Sequence, residues 1–375
     1  MKVVKGIPNN IGGTIIGRIT KSLTPICFSS GVILATPHVP KWVIGFVALI
    51  TTATSTATIP SVSCLVSNDF DGLCEGDIVR LGVDGTVQIL WEARSFQNVL
   101  YLNDHCNSAC IMCPQKVEGS LEKYHSVMTK VLSLVSASKQ VAHVGITGGE
   151  PTLFLENLID ILNTCRDRFP NAGISLLTNG KTLADFNTAE RIALANPNIL
   201  FCIPLYAPTS REHDEIVGSS GSFDLTMKGF YNLVRLQRPV EIRIVLLQQN
   251  YRRLSDLAEY IYRNLPFASH IALMGMECSG VASDNLARVW VDPITYQQEL
   301  YECVLEYHRR SMNVSIYNLP FCLLPKDIWR FARNSISEWK KAYLPQCEQC
   351  IKREECPGIF STSVRQSSFI NPIVT

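Results

Sequence analysis

Residues 98–115 read NVLYLNDHCNSACIMCPQ and residues 141–151 read VAHVGITGGEP. Each stretch contains a short run rich in Val, Ile and Leu, which is typical of a buried β-strand. Each run leads into residues that could bind a metal or another ligand. These are Cys106, Cys110 and Cys113 after the first run, and Gly148, Gly149 and Glu150 after the second. Chemistry in parallel sheets lies at the carboxyl ends of strands, so these two places are the first candidates for a functional site.

Strand and helix signals alternate outward from these two stretches. Strands are predicted at 98–102, 141–147, 172–180, 199–206, 240–248 and 270–277, and helix patterns at 121–138 and 155–169. Alternating β and α elements with apolar strands predict a parallel sheet with right-handed crossovers. Six such units predict an α/β fold with a partial or full barrel.

The flanking segments differ from this central pattern. Residues 1–95 carry short strand signals, including a hairpin at 76–92 that turns at Asp84 and Gly85,. After about residue 285 a helix at 294–310 precedes a short strand at 314–318 and a cysteine-bearing tail. We therefore expect three domains, which are a β-rich domain (1–95), an α/β domain (96–285) and a C-terminal extension (286–375).

Composition excludes several classes of protein. The chain has 375 residues, 14 cysteines and a net charge of +1. Its start, MKVVKGIPNN, lacks the apolar region of a signal peptide, so a disulfide-rich secreted protein is disfavoured and a cytoplasmic location is expected,. The near-neutral net charge argues against non-specific electrostatic binding of nucleic acid. The uncharged run 42–68 is too rich in hydroxyl residues at 51–58 to predict a membrane helix,.

A second group of cysteines lies in the tail. Cys347, Cys350 and Cys356 have the spacing C-x2-C-x5-C, and Cys322 lies upstream. Four thiolates suit either a structural zinc ion or a complete [4Fe–4S] cluster. Cys278 and Cys303 are alternatives to Cys322 as the fourth ligand. The other cysteines are predicted to be small buried side chains, namely Cys27, Cys64, Cys74, Cys165 and Cys202, with Cys278 and Cys303 if they are not ligands,.

The two stretches quoted first together resemble the radical S-adenosylmethionine (SAM) enzymes over roughly residues 96–280. The resemblance implies that the three cysteines of the first group hold three irons of a [4Fe–4S] cluster whose open iron binds SAM. It further implies reductive cleavage of SAM to a 5′-deoxyadenosyl radical. Gly148, Gly149 and Glu150 would contact the SAM amino group. Met112 stands where the family often has an aromatic residue beside adenine.

The segment IPLYAPTSREHDEIVGSSGSF (203–223) resembles the peptide-modifying branch of that family. The matching positions are His213, Asp214, Gly218, Gly221 and Phe223. Pro204 and Val217 depart from the pattern, and Val217 replaces an arginine that often helps to hold the SAM carboxylate. Arg243 is the substitute candidate, with a structural ion pair as its alternative role. Asp214 is expected to cap a helix.

Further stretches, including HIALMGMECSG (270–280) and SISEWKKAY (335–343), resemble the C-type radical SAM maturases of His-Xaa-Ser systems. This implies a peptide substrate with His-Xaa-Ser repeats, a second radical SAM maturase and an electron donor. The tail resembles half of a SPASM or twitch extension; Phe360 replaces a further cysteine, which favours one auxiliary [4Fe–4S] cluster, with zinc as the rival. Two other hypotheses are a radical SAM enzyme acting on RNA or a small molecule, and a noncatalytic partner that binds SAM or a leader peptide.

Overall fold

The computed structural model describes residues 3–9, 11–22, 31–37, 45–52, 63–66, 72–116, 121–136, 141–335 and 340–374. The chain divides into two compact units. The first comprises Met1–Asn103, Ser120–Thr147 and Asp160–Ile174, and the second comprises Asp104–Gly119, Gly148–Ile159 and Ser175–Thr375. The three domain boundaries expected from the sequence stay a prediction.

In the described part of the first unit, seven strands close into a barrel with the order β1-β5-β4-β3-β2-β6-β7. They are Val3–Asn9 (β1), Ile15–Thr20 (β2), Val32–Ala35 (β3), Ala48–Thr51 (β4), Ser63–Val66 (β5), Ile78–Leu81 (β6) and Thr86–Trp91 (β7). Ile19, Ile33, Ile50 and Leu81 are fully buried in one apolar core. The β6–β7 pair is the predicted antiparallel hairpin, and Gly85 in its turn has a φ of +76° that favours glycine,.

The uncharged run at 42–68 contributes strands β4 and β5 to this barrel. Residues 42–44, 53–62 and 67–68 of this run lie outside the described residues. Across the part of the chain that the structure covers, every helix is too short or too polar to cross a lipid bilayer.

Eight strands among the described residues form the main sheet, whose order follows the chain from β8 to β15. They are Gln97–Tyr101 (β8), His143–Thr147 (β9), Gly173–Leu177 (β10), Ile199–Pro204 (β11), Val240–Val245 (β12), His270–Met274 (β13), Val314–Tyr317 (β14) and Ala332–Arg333 (β15). The helices are Leu121–Leu134 (α1), Leu155–Arg168 (α2), Phe186–Ala195 (α3), Ser210–Val217 (α4), Ser222–Arg235 (α5), Leu254–Asn264 (α6), Gly280–Asp284 (α7), Leu286–Val289 (α8) and Gln297–Arg309 (α9).

The sheet confirms the predicted α/β fold with a partial barrel. The resolved pairs β8–β9, β11–β12, β12–β13, β13–β14 and β14–β15 are all parallel. The sheet extends two strands beyond the six that the sequence predicts. β14, which we expected in the extension, pairs with β13 through Ile271 opposite Val314 and Leu273 opposite Ile316. β15 has two residues, too few for a strand signal in the sequence,.

The tail has a small core of its own in the second unit. Strands Lys341–Ala342 (β16) and Ile359–Phe360 (β17) form a two-stranded antiparallel pair. Leu323, Ile359 and Ile370 are buried together, and the half-buried side chains of Cys322 and Cys347 pack against them. Two of the four tail cysteines are therefore held against a packed core.

Candidate active site and tail cysteine site

The cysteine loop, defined here as residues 104–116, belongs to the second unit and follows strand β8. Its backbone is tied to the end of α4, because the N–H of Ala109 donates to the carbonyl of Val217 at 2.9 Å and that of Ile111 to Ile216 at 3.1 Å. The N–H of Cys113 donates to the carbonyl of Cys110 at 3.2 Å. These contacts give the loop a fixed path, as a ligand site requires.

Three glycines allow other segments to approach the cysteine loop closely. A Cβ at Gly149 would clash with the backbone of His105, and one at Gly280 with the backbone of Pro114. A Cβ at Gly218 would lie 2.5 Å from the carbonyl oxygen of Ala109. From the sequence we interpreted Gly148–Gly149 as an approach to a ligand. In the structure, Gly149 serves the approach of one backbone segment to another.

The three thiols of the loop are half-buried and close enough to interact electrostatically. Burial raises the pKa of Cys110 to about 12, with further contributions from the charges of Cys113 and Cys106. Burial also raises the pKa values of Cys106 and Cys113. Thiolates bind metals and thiols do not, so loading must release protons from this loop. Three grouped thiols of this kind fit three corners of an iron–sulfur cluster.

Two polar atoms of the cysteine loop support the same fit. Asp104 Oδ2 and Ser108 Oγ are buried and have no hydrogen-bond partner among the described residues. Unpaired polar atoms are costly inside a protein, so their presence fits a site that takes up a further polar group. Among the residues described, no group of three or more His, Cys, Asp or Glu side chains is arranged to hold a metal ion. That finding concerns side chains arranged around one shared ion. In a [4Fe–4S] cluster, by contrast, each cysteine binds a different iron.

Glu150 lies beside this loop and is fully buried. Its backbone N–H donates to the carbonyl of His105 at 2.6 Å. Its carboxylate accepts hydrogen bonds from Thr152 N–H at 3.1 Å, from the hydroxyls of Thr152 and Thr178 at 2.6 Å each, and from Asn179 N–H at 2.6 Å. Burial raises the pKa of Glu150, while these hydrogen bonds act to lower it. The carboxylate thus braces the turn at 148–152 against the end of β10, and its contact with SAM stays a prediction.

Met112 is buried in an apolar cluster with Tyr206, Val217 and Leu247, against which Cys110 and Met276 pack. Burial raises the pKa of Tyr206 well above its ordinary value. The position of Met112 beside adenine stays a prediction.

Arg243 on strand β12 belongs to a row of polar side chains on strands β12 to β14. Its Nε lies 3.4 Å from Glu241, whose other carboxylate oxygen lies 2.8 Å from His270 Nδ1. His270 Nε2 in turn lies 3.0 Å from the hydroxyl of Ser315. Burial acts to raise the pKa of Glu241, but the hydrogen bond with His270 and the charge of Arg243 hold it below its usual range. The ion pair that we considered as the alternative role of Arg243 is therefore present in the structure.

Asp214 caps a helix, as expected. The helix that it caps is α5, whereas Asp214 itself belongs to α4. Its carboxylate accepts hydrogen bonds from the N–H groups of Gly221 at 2.6 Å and Phe223 at 2.8 Å, at the start of α5. His213 is buried between Tyr206 and Phe223, and its Nδ1 accepts a hydrogen bond from the N–H of Tyr206 at 3.3 Å. Both side chains have structural contacts.

Sequence reasoning missed Asn179 and Lys181, which follow β10. The Asn179 side-chain amide donates to Asn107 Oδ1 at 2.7 Å, and Lys181 Nζ donates to the Asn107 carbonyl. Both therefore contact the cysteine loop. The signal available in the sequence was the TNGK segment, whose Asn–Gly pair we interpreted only as the end of the strand at 172–180.

The four tail cysteines predicted as ligands line one cavity. The cavity is open to solvent on one side and is lined by Cys322, Cys347, Cys350 and Cys356 together with apolar side chains such as Ile359. Backbone N–H groups point at two of the sulfurs, from Gly358 to Cys356 at 3.5 Å and from Ile373 to Cys350 at 3.4 Å. Burial raises the pKa values of Cys322 and Cys356, and neighbouring cysteines add to both shifts.

The remaining cysteines lie elsewhere. Cys165, Cys202, Cys278 and Cys303 are buried as predicted, whereas Cys74 is only half-buried. Cys64 lies in strand β5, and Cys27 lies outside the described residues. Neither Cys278 nor Cys303 lines the tail cavity. The structure therefore brings Cys322, rather than these two alternatives, to the tail cluster of cysteines.

Residues 100–261 match the model of the Radical SAM superfamily. The chain thus contains a radical SAM domain, which is the domain of an enzyme superfamily and implies binding of a [4Fe–4S] cluster and SAM. No curated protein matches the chain.

Several solved structures are similar. Streptococcus suis SuiB bound to S-adenosylmethionine is 17% identical with a TM-score of 0.49, over 65% of this chain and 54% of SuiB. SuiB bound to precursor peptide SuiA is 17% identical with a TM-score of 0.47, over 59% of this chain and 48% of SuiB. The enzyme anSMEcpe with bound AdoMet and Kp18Cys peptide is 18% identical with a TM-score of 0.45, over 58% of this chain and 62% of anSMEcpe. The chain therefore spans about half the length of SuiB.

Proposed function

We propose that this protein is a radical SAM enzyme that modifies a peptide. The observation that carries the proposal is the cysteine loop, which lies within the matched domain and approaches the Gly149–Glu150 turn closely enough to exclude a Cβ at Gly149. Two sequence motifs that are separated by about 40 residues thus meet in one site. A structural role for either motif alone would not require that meeting.

In this proposal Cys106, Cys110 and Cys113 hold three irons of a [4Fe–4S] cluster and leave the fourth iron for SAM. Gly148, Gly149 and Glu150 contact the SAM amino group, Met112 lies beside adenine, and Arg243 holds the carboxylate. Arg243 suits that role because its buried Nε has no hydrogen-bond partner among the residues that the structure describes, and its ion pair with Glu241 is long, at 3.4 Å,.

When bound, the cluster and SAM together supply a one-electron cleavage that yields a 5′-deoxyadenosyl radical. The residues of this chain provide placement and shielding. The apolar cluster around Met112 excludes water from one side of the cysteine loop, and the Glu150 network fixes the neighbouring turn. Shielding matters because an alkyl radical that is open to solvent and reductant reacts unproductively.

The test is SAM cleavage by anaerobically loaded protein in the presence of dithionite. We expect release of 5′-deoxyadenosine by the wild type and none by C106A, C110A or C113A. C74S, which changes a half-buried thiol outside the site, is the matched control and should retain activity. An intact, reducible cluster without any release of 5′-deoxyadenosine would refute the proposal.

We further propose that Cys322, Cys347, Cys350 and Cys356 hold one auxiliary [4Fe–4S] cluster. Support comes from the shared cavity and from the N–H groups directed at Cys350 and Cys356, since such donors stabilise the charge of cluster sulfurs,. Two clusters predict about eight irons per chain, whereas a structural zinc predicts about four irons and one zinc. C356A should lose about half of the iron and C278A none. Loss of zinc without loss of iron would favour the rival.

The substrate that we propose is a peptide with His-Xaa-Ser repeats, handled together with a second radical SAM maturase and a low-potential electron donor. The 203–223 motif and the near-neutral net charge support a peptide over RNA,. The solved structures of SuiB and anSMEcpe contain bound peptides of their own. Binding of a His-Xaa-Ser repeat peptide, measured by calorimetry against a scrambled peptide, tests the substrate class. Preferential binding of RNA would overturn it.

A further inference from the structure

Lys181, a mostly buried residue, places its ammonium group against the cysteine loop. The residue is 7% exposed, and its Nζ donates to the backbone carbonyl of Asn107, between Cys106 and Cys110. A second hydrogen bond runs from Nζ to Ser219 Oγ at 2.9 Å. A lysine that is buried to this degree normally has charged or strongly polar partners.

The path of the chain at Lys181 is fixed from several sides. Its backbone N–H donates to Asn179 Oδ1 at 3.0 Å, and Asn179 itself bonds to the Asn107 side chain. Gly180, with a φ of +79°, lies so close to Ile203 that a Cβ would come within 2.9 Å of that side chain. The fixed backbone at Lys181 therefore directs the ammonium group to the cysteine loop. The contact is not the chance contact of a long, flexible side chain.

The charges around Lys181 are predominantly negative or become so on metal loading. Burial lowers the pKa of Lys181, while the charges of Cys106, Cys110, Glu150 and Asp214 oppose that shift. The Glu150 carboxylate is braced by four hydrogen bonds, and Asp214 is committed to the start of α5. The two cysteines are the neighbours whose charge changes when a cluster binds and is reduced.

We propose that Lys181 is a positioning residue that stabilises the reduced state of the cluster held by the cysteine loop. One electron from an external reductant adds one negative charge to the cluster, and no proton is taken up. An ammonium fixed to the backbone between Cys106 and Cys110 favours that added charge by electrostatic attraction,. The inference rests on the proposed function, because it requires a redox-active cluster at Cys106, Cys110 and Cys113.

The test is the midpoint potential of the loaded protein, measured by redox titration followed by electron paramagnetic resonance. C356A is the background, so that only the first cluster contributes. In that background K181M should shift the potential to more negative values, whereas K181R, which keeps the charge, should remain near the parent. K228M, which removes an exposed lysine from α5, is the matched control and should leave the potential unchanged. A K181M protein with full iron content and an unchanged potential would overturn the inference.

K181M could also fail to bind the cluster, and K181R then distinguishes the two explanations. If K181M binds no iron, a K181R protein that binds iron and has the midpoint potential of the parent supports a role of the charge. A K181R protein that binds no iron despite a native circular dichroism spectrum shows a purely structural role and overturns the inference. SAM affinity, measured by calorimetry, is a second readout that does not depend on turnover. A parent that holds no reducible cluster refutes the proposed function together with this inference, whereas an unchanged potential in K181M refutes the inference alone.

Discussion

The ammonium of Lys340 contacts both carboxylate oxygens of Glu277, at 3.0 and 3.1 Å. Glu277 follows strand β13, and Lys340 lies just before β16 in the tail. The hydroxyl of Thr362 donates to the same carboxylate at 2.6 Å, and the N–H of Val364 donates to the carbonyl of Cys278 at 3.0 Å. The segment that carries the tail cysteines is thus attached at the carboxyl end of a sheet strand.

We expect K340M to loosen that attachment. The change leaves a mostly buried Glu277 with a single neutral donor, and the loss of a partly screened charged hydrogen bond costs about 1–2 kcal/mol,. Chymotrypsin should cut the tail of K340M sooner than that of the wild type. K352M, which disrupts the surface pair with Glu355, is the control. Identical cleavage rates in K340M and wild type would contradict the proposed attachment.

Gly218 and Gly221 provide a matched pair for testing the close approach to the cysteine loop. Both have positive φ values, of 61° and 73°, so alanine costs about 1–2 kcal/mol of backbone strain at either position,. Of the two, Gly218 has a close neighbour, the carbonyl of Ala109, whereas none of the described residues lies within 4 Å of a Cβ at Gly221. Overpacking at Gly218 adds about 1–3 kcal/mol. G218A should therefore load less iron and unfold at lower urea than G221A. Equal iron contents and equal unfolding midpoints would show that the contact is unimportant.

Glu150 should be important for stability apart from any contact with a ligand. In E150Q, the amide NH₂ replaces one carboxylate oxygen and cannot accept the hydrogen bonds that this oxygen receives. We therefore expect the free energy of unfolding in urea to fall by about 1–3 kcal/mol. The control is E156Q, on the exposed first turn of α2, where the glutamate pairs with Arg191. If E150Q unfolds at the wild-type urea concentration, the brace is not a stabilising element.

The buried imidazole of His213 predicts a dependence of stability on pH. Burial lowers the pKa of His213 to about 4, below the unfolded value of about 6.5,. The unfolded chain therefore takes up the proton first. The contribution of neutral His213 is complete above about pH 6.5 and is lost as the pH falls toward 4, by roughly 3 kcal/mol in total.

The measurement compares urea unfolding of wild type, H213Q and H308Q between pH 7 and pH 4.5. His308 is exposed, so H308Q should keep the wild-type dependence on pH. H213Q is expected to be less stable at pH 7 but to lose less stability on acidification. Parallel curves for wild type and H213Q would exclude His213 as the source.

The sequence by itself determined the features that local order encodes. Alternating strand and helix signals predicted the α/β sheet, and the spacing of Cys106, Cys110 and Cys113 marked the first site, because periodicity and short spacing are properties of neighbouring residues. Composition likewise favoured reduced thiols and a peptide over nucleic acid.

The tertiary structure decided what depends on residues far apart in the chain. It placed Cys322, the expected fourth ligand, with the tail cysteines and left the alternatives Cys278 and Cys303 elsewhere, and it brought β14 into the main sheet. It assigned Asp214 to the helix that follows its own. Lys181 meets Asn107 across 74 positions of sequence, and no local pattern carries that contact. Such pairings follow from packing of the whole second unit, which minimises unsatisfied polar groups and empty space only once all the elements are in place.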